Sequence, residues 1–158
     1  MSSTNLWRAA ALVTLVAGAA CGGTDPVEPP KIEETQFASS LGIDLSLMTK
    51  TASGLYYRDL TTGSGATATV GKRVAIHYNG FLPDGTQFDS NTGNQTPFQF
   101  TLGSGQVIGG FDEGVRGMAP GGIRQLIIPP NLGYGAAGSG PIPPNSILVF
   151  RIELVSIL

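Results

Sequence analysis

From about residue 51 onward, apolar and polar residues alternate along most of the chain, as they do in half-buried β-strands. This alternation predicts strands over residues 55–60, 74–78, 87–89, 98–102 and 123–128. In a last run, residues 147–158, apolar residues occupy both odd and even positions over much of the length, which predicts a central strand covered on both faces. Gly80 predicts a bend, and Pro83-Asp84-Gly85 predicts a turn between the second and third strands.

One segment departs from this alternation. Between residues 107 and 118 the apolar positions are spaced by three, four and three, which is one stripe of a short helix: Ile108, Phe111, Val115 and Met118. Asp112 and Glu113 fall in its first turn, and because neighbouring helical side chains point apart, we predict that they lie on a solvated face. The whole pattern predicts an α+β fold, with an antiparallel sheet of five to six strands and one short helix packed on a face.

The first 20 residues have the features of an export signal. Ala9 to Ala20 form an unbroken apolar or small run after the basic Arg8, and this run is too short to span a bilayer as a helix. It ends in "LVAGAAC", which resembles a bacterial lipoprotein signal with Cys21 as the lipidated first mature residue, although Gly18 replaces the usual branched apolar residue. Ordinary cleavage near residues 17–19 and a buried structural cysteine are the alternatives.

The sequence therefore divides into a signal peptide at 1–20, a tether at 21–49 and a folded domain at 50–158. The tether is rich in proline and carboxylates over residues 22–34, which predicts an extended, solvated chain. Its later part has apolar residues at helical spacing interrupted by Gly42, which predicts one or two short helical turns docked on the domain: Phe37, Leu41, Leu45 and Met48.

Composition excludes several classes of function. The 158 residues carry 9 basic and 11 acidic side chains, a net charge of −2, which offers no basis for nucleic-acid binding. One cysteine excludes an intramolecular disulfide, and without a Cys/His cluster there is no zinc site and no metal centre. The single histidine, His77, lies mid-strand among aliphatic neighbours, so we assign it a structural role.

The stretch "GYGAAG", residues 133–138, matches the G-x-G-x-x-G pattern of dinucleotide sites. Such a site needs a helix N-terminus directly after the glycines, and Pro141 and Pro143-Pro144 cannot lie inside a helix. The alternatives are a loop that only joins two strands, or a loop that presents Tyr134 and Ile142 to a ligand.

Aromatic residues are the most conspicuous candidate chemistry, and they are spread over separate predicted elements: Tyr78, Phe88, Phe98, Phe100, Phe111, Tyr134 and Phe150. They form either plain core or, if several converge, an apolar cleft with Asp89 and Tyr134 as its polar points. Asp89 is either a carboxylate at the rim of that cleft or a cap of the loop backbone.

Three stretches together resemble the FKBP-type peptidyl-prolyl cis-trans isomerases: "VAIHYNGFLPDGTQFDS", "PFQFTLGSGQVIGGFDEGVRGM" and "LGYGAAGSGPIPPNSILVFRIELV". The resemblance covers residues 51–158 in order and implies a twisted sheet wrapped around the helix. It also implies acceleration of X-Pro rotation in proline-containing polypeptides, without a cofactor, and macrolide inhibitors as ligands. A non-catalytic peptide-binding or chaperone module of the same fold is the alternative.

The resemblance also assigns a pocket. It implies five catalytic residues, Tyr78, Asp89, Phe111, Tyr134 and Phe150, and five substrate-binding residues, Phe88, Phe98, Val107, Ile108 and Ile142. The Ile108 N–H would bind a substrate carbonyl, and "GYGAAGSGPIPPN" would be the loop over the pocket. Three positions depart from common members: Asn94 replaces an arginine that pairs with the carboxylate, Ser139 falls near a frequent histidine, and Phe111 replaces tryptophan.

The lipoprotein-like start resembles exported bacterial members of the family. It implies a chain attached to a membrane only through a lipid anchor at Cys21, facing the periplasm or the cell surface. Gly22 is not the aspartate that often retains lipoproteins at the inner membrane, which favours the outer membrane.

Overall fold

The computed structural model describes residues 28–158, so the predicted signal peptide and Cys21 lie outside the described residues. The strands and the helix are, in chain order, β1 (Thr49–Lys50), β2 (Tyr56–Thr61), β3 (Arg73–Phe81), β4 (Gln87–Ser90), β5 (Phe98–Thr101), α1 (Gly109–Val115), β6 (Ile123–Ile128) and β7 (Leu148–Ile157). Short 3-10 turns occur at Ile32–Glu34, Ser39–Leu41, Leu45–Leu47, Pro130–Leu132 and Gly135–Ala137.

The strands form one antiparallel sheet in the order β1-β2-β6-β7-β3-β4, and β5 pairs with the first half of β3. The predicted antiparallel sheet with one short helix is confirmed, and β7 lies between β6 and β3 as a central strand. The prediction that β7 is covered on both faces is wrong for its second half, where buried and exposed residues alternate from Arg151 to Val155. The described chain has seven strands rather than five or six. The shortest, β1, has two residues, too few for an alternation to be visible in the sequence.

Helix α1 packs closely on one face of the sheet, which we call the inner face. A Cβ at Gly110 would lie 2.4 Å from Cγ2 of Ile128, and a Cβ at Gly114 would lie 2.3 Å from Cδ1 of Leu126. Both positions therefore require glycine for the helix to approach β6 this closely. The approach places Phe111 of α1 in the main hydrophobic core, with 4% of its surface exposed.

The solvated face predicted for the helix is wrong for Asp112, which is only 7% exposed. Its Oδ1 accepts a hydrogen bond from the Gly103 N–H at 2.7 Å, and its Oδ2 accepts one from Arg116 one turn later. The loop before the helix folds back against this side of it, which local spacing does not reveal. Glu113 is half-buried and accepts a hydrogen bond from Ser53.

Residues 31–48, which we call the strap, cover part of the opposite, outer face of the sheet. Several of its apolar side chains pack on a second hydrophobic cluster that includes Tyr56, Ile127 and Val149: Phe37, Leu41, Ile43, Leu45 and Met48. The helical spacing of the sequence corresponds here to separate 3-10 turns, with Gly42 in the left-handed region at φ +59°. The boundary at residue 50 between tether and domain stays a prediction.

Candidate active site

An apolar hollow of about 190 Å³ opens on the inner face of the sheet. Its walls come from β3, β4, β5, β7, α1 and two loops: Tyr78, Phe88, Asp89, Phe98, Gln106, Val107, Ile108, Phe111, Tyr134 and Phe150. Nine of the ten site residues named from the sequence line it, while their individual roles stay predictions.

The aromatic rings of this hollow pack edge to face. Phe111 forms the floor, with its ring centroid 5.6 Å from Tyr78 at 87° and 5.1 Å from Phe150 at 86°. Phe88 meets Phe150 at 5.5 Å and 88°. Edge-to-face packing is the favoured geometry of aromatic pairs, so each ring fixes its neighbours. The walls are therefore formed before any ligand arrives.

A glycine in β3 makes room for these rings. A Cβ at Gly80 would lie 2.7 Å from Cζ of Phe88 and 2.8 Å from Cε1 of Phe150. The β3–β4 register also shifts between Gly80 and Phe81, where the sequence predicts a bend. The bend and the missing side chain together let Phe88 reach Phe150 across the sheet.

Tyr78 and Asp89 are linked polar groups of the hollow. The Tyr78 hydroxyl donates a hydrogen bond to Oδ2 of Asp89 at 2.7 Å. Burial first, and then this hydrogen bond, raise the pKa of Tyr78 above its ordinary value, so the phenol stays protonated. The other oxygen of Asp89 accepts the Ser90 N–H at 2.8 Å, so Asp89 is both a rim carboxylate and a backbone cap. In the described part of the chain it forms no salt bridge.

The lip of the hollow contains an unused backbone donor. Ile108 caps α1 with extended dihedral angles, φ −59° and ψ 149°. Its carbonyl accepts from the N–H groups of Phe111 and Asp112 at 3.0 and 3.1 Å. Among residues 28–158, nothing accepts the N–H of Ile108 itself. A ligand carbonyl at the lip could therefore take this donor.

The loop after β6 contributes Tyr134, which is 39% exposed at the edge of the hollow. Ile142 does not line the hollow, although the sequence assigned it there. Its backbone forms an isolated bridge with Ser139, with N–O distances of 3.0 and 2.9 Å. Its side chain is only 6% exposed and belongs to the hydrophobic core. After Gly133 the loop forms a 3-10 turn rather than the α-helix that a dinucleotide site needs.

Sequence reasoning missed Gln106, which lines the hollow beside Val107. Its Oε1 accepts the Thr101 N–H at 2.8 Å, so the side chain ties the loop before α1 to the end of β5. The only feature of the sequence that could have identified Gln106 is its position directly before Val107 and Ile108, the lip of the hollow.

The lining of the hollow favours binding through apolar contacts and hydrogen bonds. Within residues 28–158, no three His, Cys, Asp or Glu side chains lie close enough together to hold a metal ion. His77 alternates with Tyr78 along β3 and lies against the outer face instead. The hollow offers an apolar group a surface of rings, with hydrogen-bond donors at its edge for flanking carbonyls.

Residues 65–155 match the family model of the FKBP-type peptidyl-prolyl cis-trans isomerases. The chain belongs to this family. It is an FKBP-type peptidyl-prolyl cis-trans isomerase, which confirms the resemblance in the three stretches of sequence. The non-catalytic module considered as the alternative is not favoured.

Relatives and solved structures agree with this identification. The chain is 49% identical over 105 residues to an FK506-binding protein of Neisseria meningitidis serogroup B, which covers 66% of this chain and 96% of the relative. It is 43% identical over 128 residues to the peptidyl-prolyl cis-trans isomerase FKBP15-3 of Arabidopsis thaliana, covering 79% and 89% respectively. The crystal structure of FkpA from Escherichia coli matches with a TM-score of 0.66 and 35% identity, over 75% of this chain and 55% of FkpA.

Proposed function

We propose that the aromatic hollow is the site at which this isomerase binds the X-Pro bond, and that its clients are exported polypeptides. The convergence of nine of the ten candidate residues on one hollow, with interlocked rings, supports the location. The export-like start of the sequence supports the choice of clients.

Rotation about an X-Pro bond needs no bond cleavage. Amide resonance imposes a barrier of about 18–20 kcal/mol, so the uncatalysed reaction takes tens to hundreds of seconds. The twisted transition state has lost this resonance, and its carbonyl oxygen carries less charge than that of the planar amide. A hollow walled by aromatic rings therefore binds the twisted form better than the planar, well-hydrated form. A preference of about 5–6 kcal/mol accelerates rotation about ten-thousandfold.

Each part of the hollow has a role in this scheme. Phe111 and Phe150 give the prolyl ring an apolar floor and wall. Both are at most 4% exposed, and their rings pack edge to face with centroids 5.1 Å apart. The Ile108 N–H and the Tyr134 hydroxyl position the carbonyls on either side of the proline. The Tyr78 hydroxyl donates to Asp89, and burial and this hydrogen bond raise the pKa of Tyr78 further above its ordinary value.

We further propose that the hollow binds macrolides of the FK506 class. The name of the Neisseria relative, an FK506-binding protein, supports this ligand, as does the apolar lining. Asn94, Ser139 and Phe111 differ from common members of the family, and Phe111 lines the hollow. These differences tune the affinity for macrolides more than the isomerase activity, which depends on the aromatic walls.

The location of the protein is part of the proposal. A lipid on Cys21 would hold the mature chain at the membrane surface, and Gly22 favours the outer membrane. Within residues 28–158 no helix has the length and apolar character needed to cross a membrane.

Two measurements test the proposal. The purified chain should accelerate isomerisation of a Leu-Pro peptide, and FK506 should inhibit this activity competitively. If saturating FK506 leaves the activity unchanged, either catalysis takes place outside the hollow or the hollow does not bind FK506. Cells expressing the chain and its Cys21→Ser variant should differ in membrane fractionation. Wild type recovered entirely in the soluble fraction would overturn the lipid anchor.

A further inference from the structure

The turn between β3 and β4 is contacted from the outer face by the strap. The Ala38 N–H donates a hydrogen bond to the Pro83 carbonyl at 2.8 Å. Two residues further along the turn, a Cβ placed on Gly85 would lie 3.1 Å from Oγ of Ser40 and 3.2 Å from Cβ of Ala38. The strap therefore binds the turn through a backbone hydrogen bond, and it lies close enough to leave little room for a side chain at Gly85.

The strand that follows this turn has few backbone pairs with the sheet. Strand β4 has four residues, lies at an edge and pairs only with β3. It has three paired positions, and the register is irregular between Gly80 and Phe81. Short edge strands with few hydrogen bonds open locally at the lowest free-energy cost. Yet β4 carries Phe88 and Asp89, which form one wall of the hollow.

The strap is itself anchored firmly enough to support the turn. Nε2 of the buried Gln125 in β6 donates to the Leu41 carbonyl at 2.8 Å. At the other end of the strap, Oε1 of Glu33 accepts from both Lys50 and the Tyr56 hydroxyl at 2.5 Å. Between these points its apolar residues pack on the outer face.

We propose that the strap is a positioning element for the active site, and that Ala38 is the residue through which it acts. By binding Pro83 it keeps the β3–β4 hairpin closed, so that Phe88 stays against Phe150 and Asp89 stays bonded to Tyr78. This inference rests on the proposed location of the X-Pro site in the hollow.

The proposal has a specific kinetic consequence. When the turn is released, a smaller fraction of molecules has the wall in place, and the apparent affinity for substrate falls by that fraction. Bound substrate packs against Phe88 and restores the wall, so kcat is unchanged. A general loss of folded protein would instead lower the apparent kcat and leave KM unchanged.

Two adjacent proline variants of the full chain isolate the contact. Ala38→Pro removes the N–H that binds Pro83, and the dihedral angles at Ala38, φ −58° and ψ 137°, already suit proline. Ser39→Pro is the matched control. Ser39 is exposed at the first position of a 3-10 turn, its N–H has no acceptor within residues 28–158, and the residue before it is extended.

We expect Ala38→Pro to raise KM for a Leu-Pro peptide about threefold to tenfold over Ser39→Pro, with equal kcat. Amide hydrogen exchange, which does not depend on activity, should be faster in β4 of Ala38→Pro but not in β5. Equal KM values and equal β4 exchange in the two variants would overturn the proposal. Faster β4 exchange with an unchanged KM would overturn the link to substrate binding.

A second pair of variants keeps the proposal testable if Ala38→Pro does not fold. Gly85→Ala places a methyl group against the strap, whereas Gly71→Ala places one in open space at a nearly equal φ, +85° against +89°. The same rise in KM and the same exchange in β4 are expected for Gly85→Ala alone. If both alanine variants match in KM, the strap does not position the wall.

Discussion

The two faces of the sheet each carry a hollow, and the larger hollow is the less suitable for an X-Pro bond. The inner hollow measures about 190 Å³ and the outer one, between the strap and the sheet, about 670 Å³. Aromatic rings dominate the inner walls. The outer walls include the polar side chains of Asn79, Gln125 and Arg151.

Alternation along two strands produces this difference. Tyr78 and Phe150 face the inner hollow, while their chain neighbours Asn79 and Arg151 face the outer hollow. In the inner hollow, the hydroxyl of Tyr78 is bonded to Asp89. On the outer face, Oε1 of Gln125 is buried without a partner among residues 28–158. Because a twisted amide is less polar than a planar one, the character of the walls matters more than the volume they enclose.

The largest expected effect comes from replacing neighbours in β7 that face opposite hollows. Phe150→Ala removes a ring that contacts Tyr78, Phe88 and Phe111, and we expect kcat/KM to fall about a hundredfold. It should also lower the free energy of unfolding by about 3–5 kcal/mol. The control Arg151→Ala changes an exposed residue. It should alter neither the free energy of unfolding nor the activation free energy that corresponds to kcat/KM by more than about 0.5 kcal/mol.

Isomerisation of a Leu-Pro peptide and urea unfolding measure both effects. A folded Phe150→Ala variant with wild-type activity, or a large loss of activity in Arg151→Ala, would reverse the assignment of the two faces.

A smaller effect is expected from the link between Tyr78 and Asp89. Tyr78→Phe keeps the ring but removes the hydroxyl that donates to Asp89, so we expect kcat/KM to fall about tenfold, or about 1.4 kcal/mol. Tyr57→Phe is the control, because the Tyr57 ring lies under Arg124 and does not line the hollow. Stopped-flow isomerisation assays on both variants check this, and equal rates would show that the hydrogen bond does not contribute.

The next effect in size is expected from the strap, where Ala38→Pro should raise KM about threefold to tenfold. It sharpens the comparison because it asks whether a contact on the outer face acts on the inner hollow.

The smallest effect concerns the anchor of the strap under acid conditions. Hydrogen bonds from Lys50, and then from Tyr56, lower the pKa of Glu33 from 4.5 to about 2. A lowered pKa in the folded state stabilises it above pH 4.5, and this contribution disappears as the pH falls toward 2. The stability difference between wild type and Glu33→Gln should therefore shrink over this window.

Urea midpoints between pH 2 and 6 measure that difference, with Glu34→Gln as the control for loss of a neighbouring exposed charge. A difference that stays constant over the window would show that Glu33 does not support the strap through its ionised form.

The sequence predicted strong local patterns well and long-range contacts poorly. The predicted strand at 123–128 agrees with β6 because apolar residues continue up to Pro129, which ends the strand. Ile142 was assigned to the hollow, but its side chain is buried in the main hydrophobic core and is not among the residues that line the hollow. Asp112 bonds to Gly103 in the loop before the helix, and Gln106 bonds to Thr101 at the end of β5. Spacing within one element carries no information about such partners. The aromatic positions were predictable because the resemblance assigned them residue by residue.

The most direct test follows the chain by NMR while a Leu-Pro peptide is added. The account predicts exchange between the cis and trans peptide signals at the same time as chemical-shift changes at Tyr78, Phe98, Ile108 and Tyr134. Signals of Asn79, Gln125 and Arg151 should stay in place. Exchange accompanied by shifts confined to the outer residues would contradict the claim that the aromatic hollow catalyses the rotation.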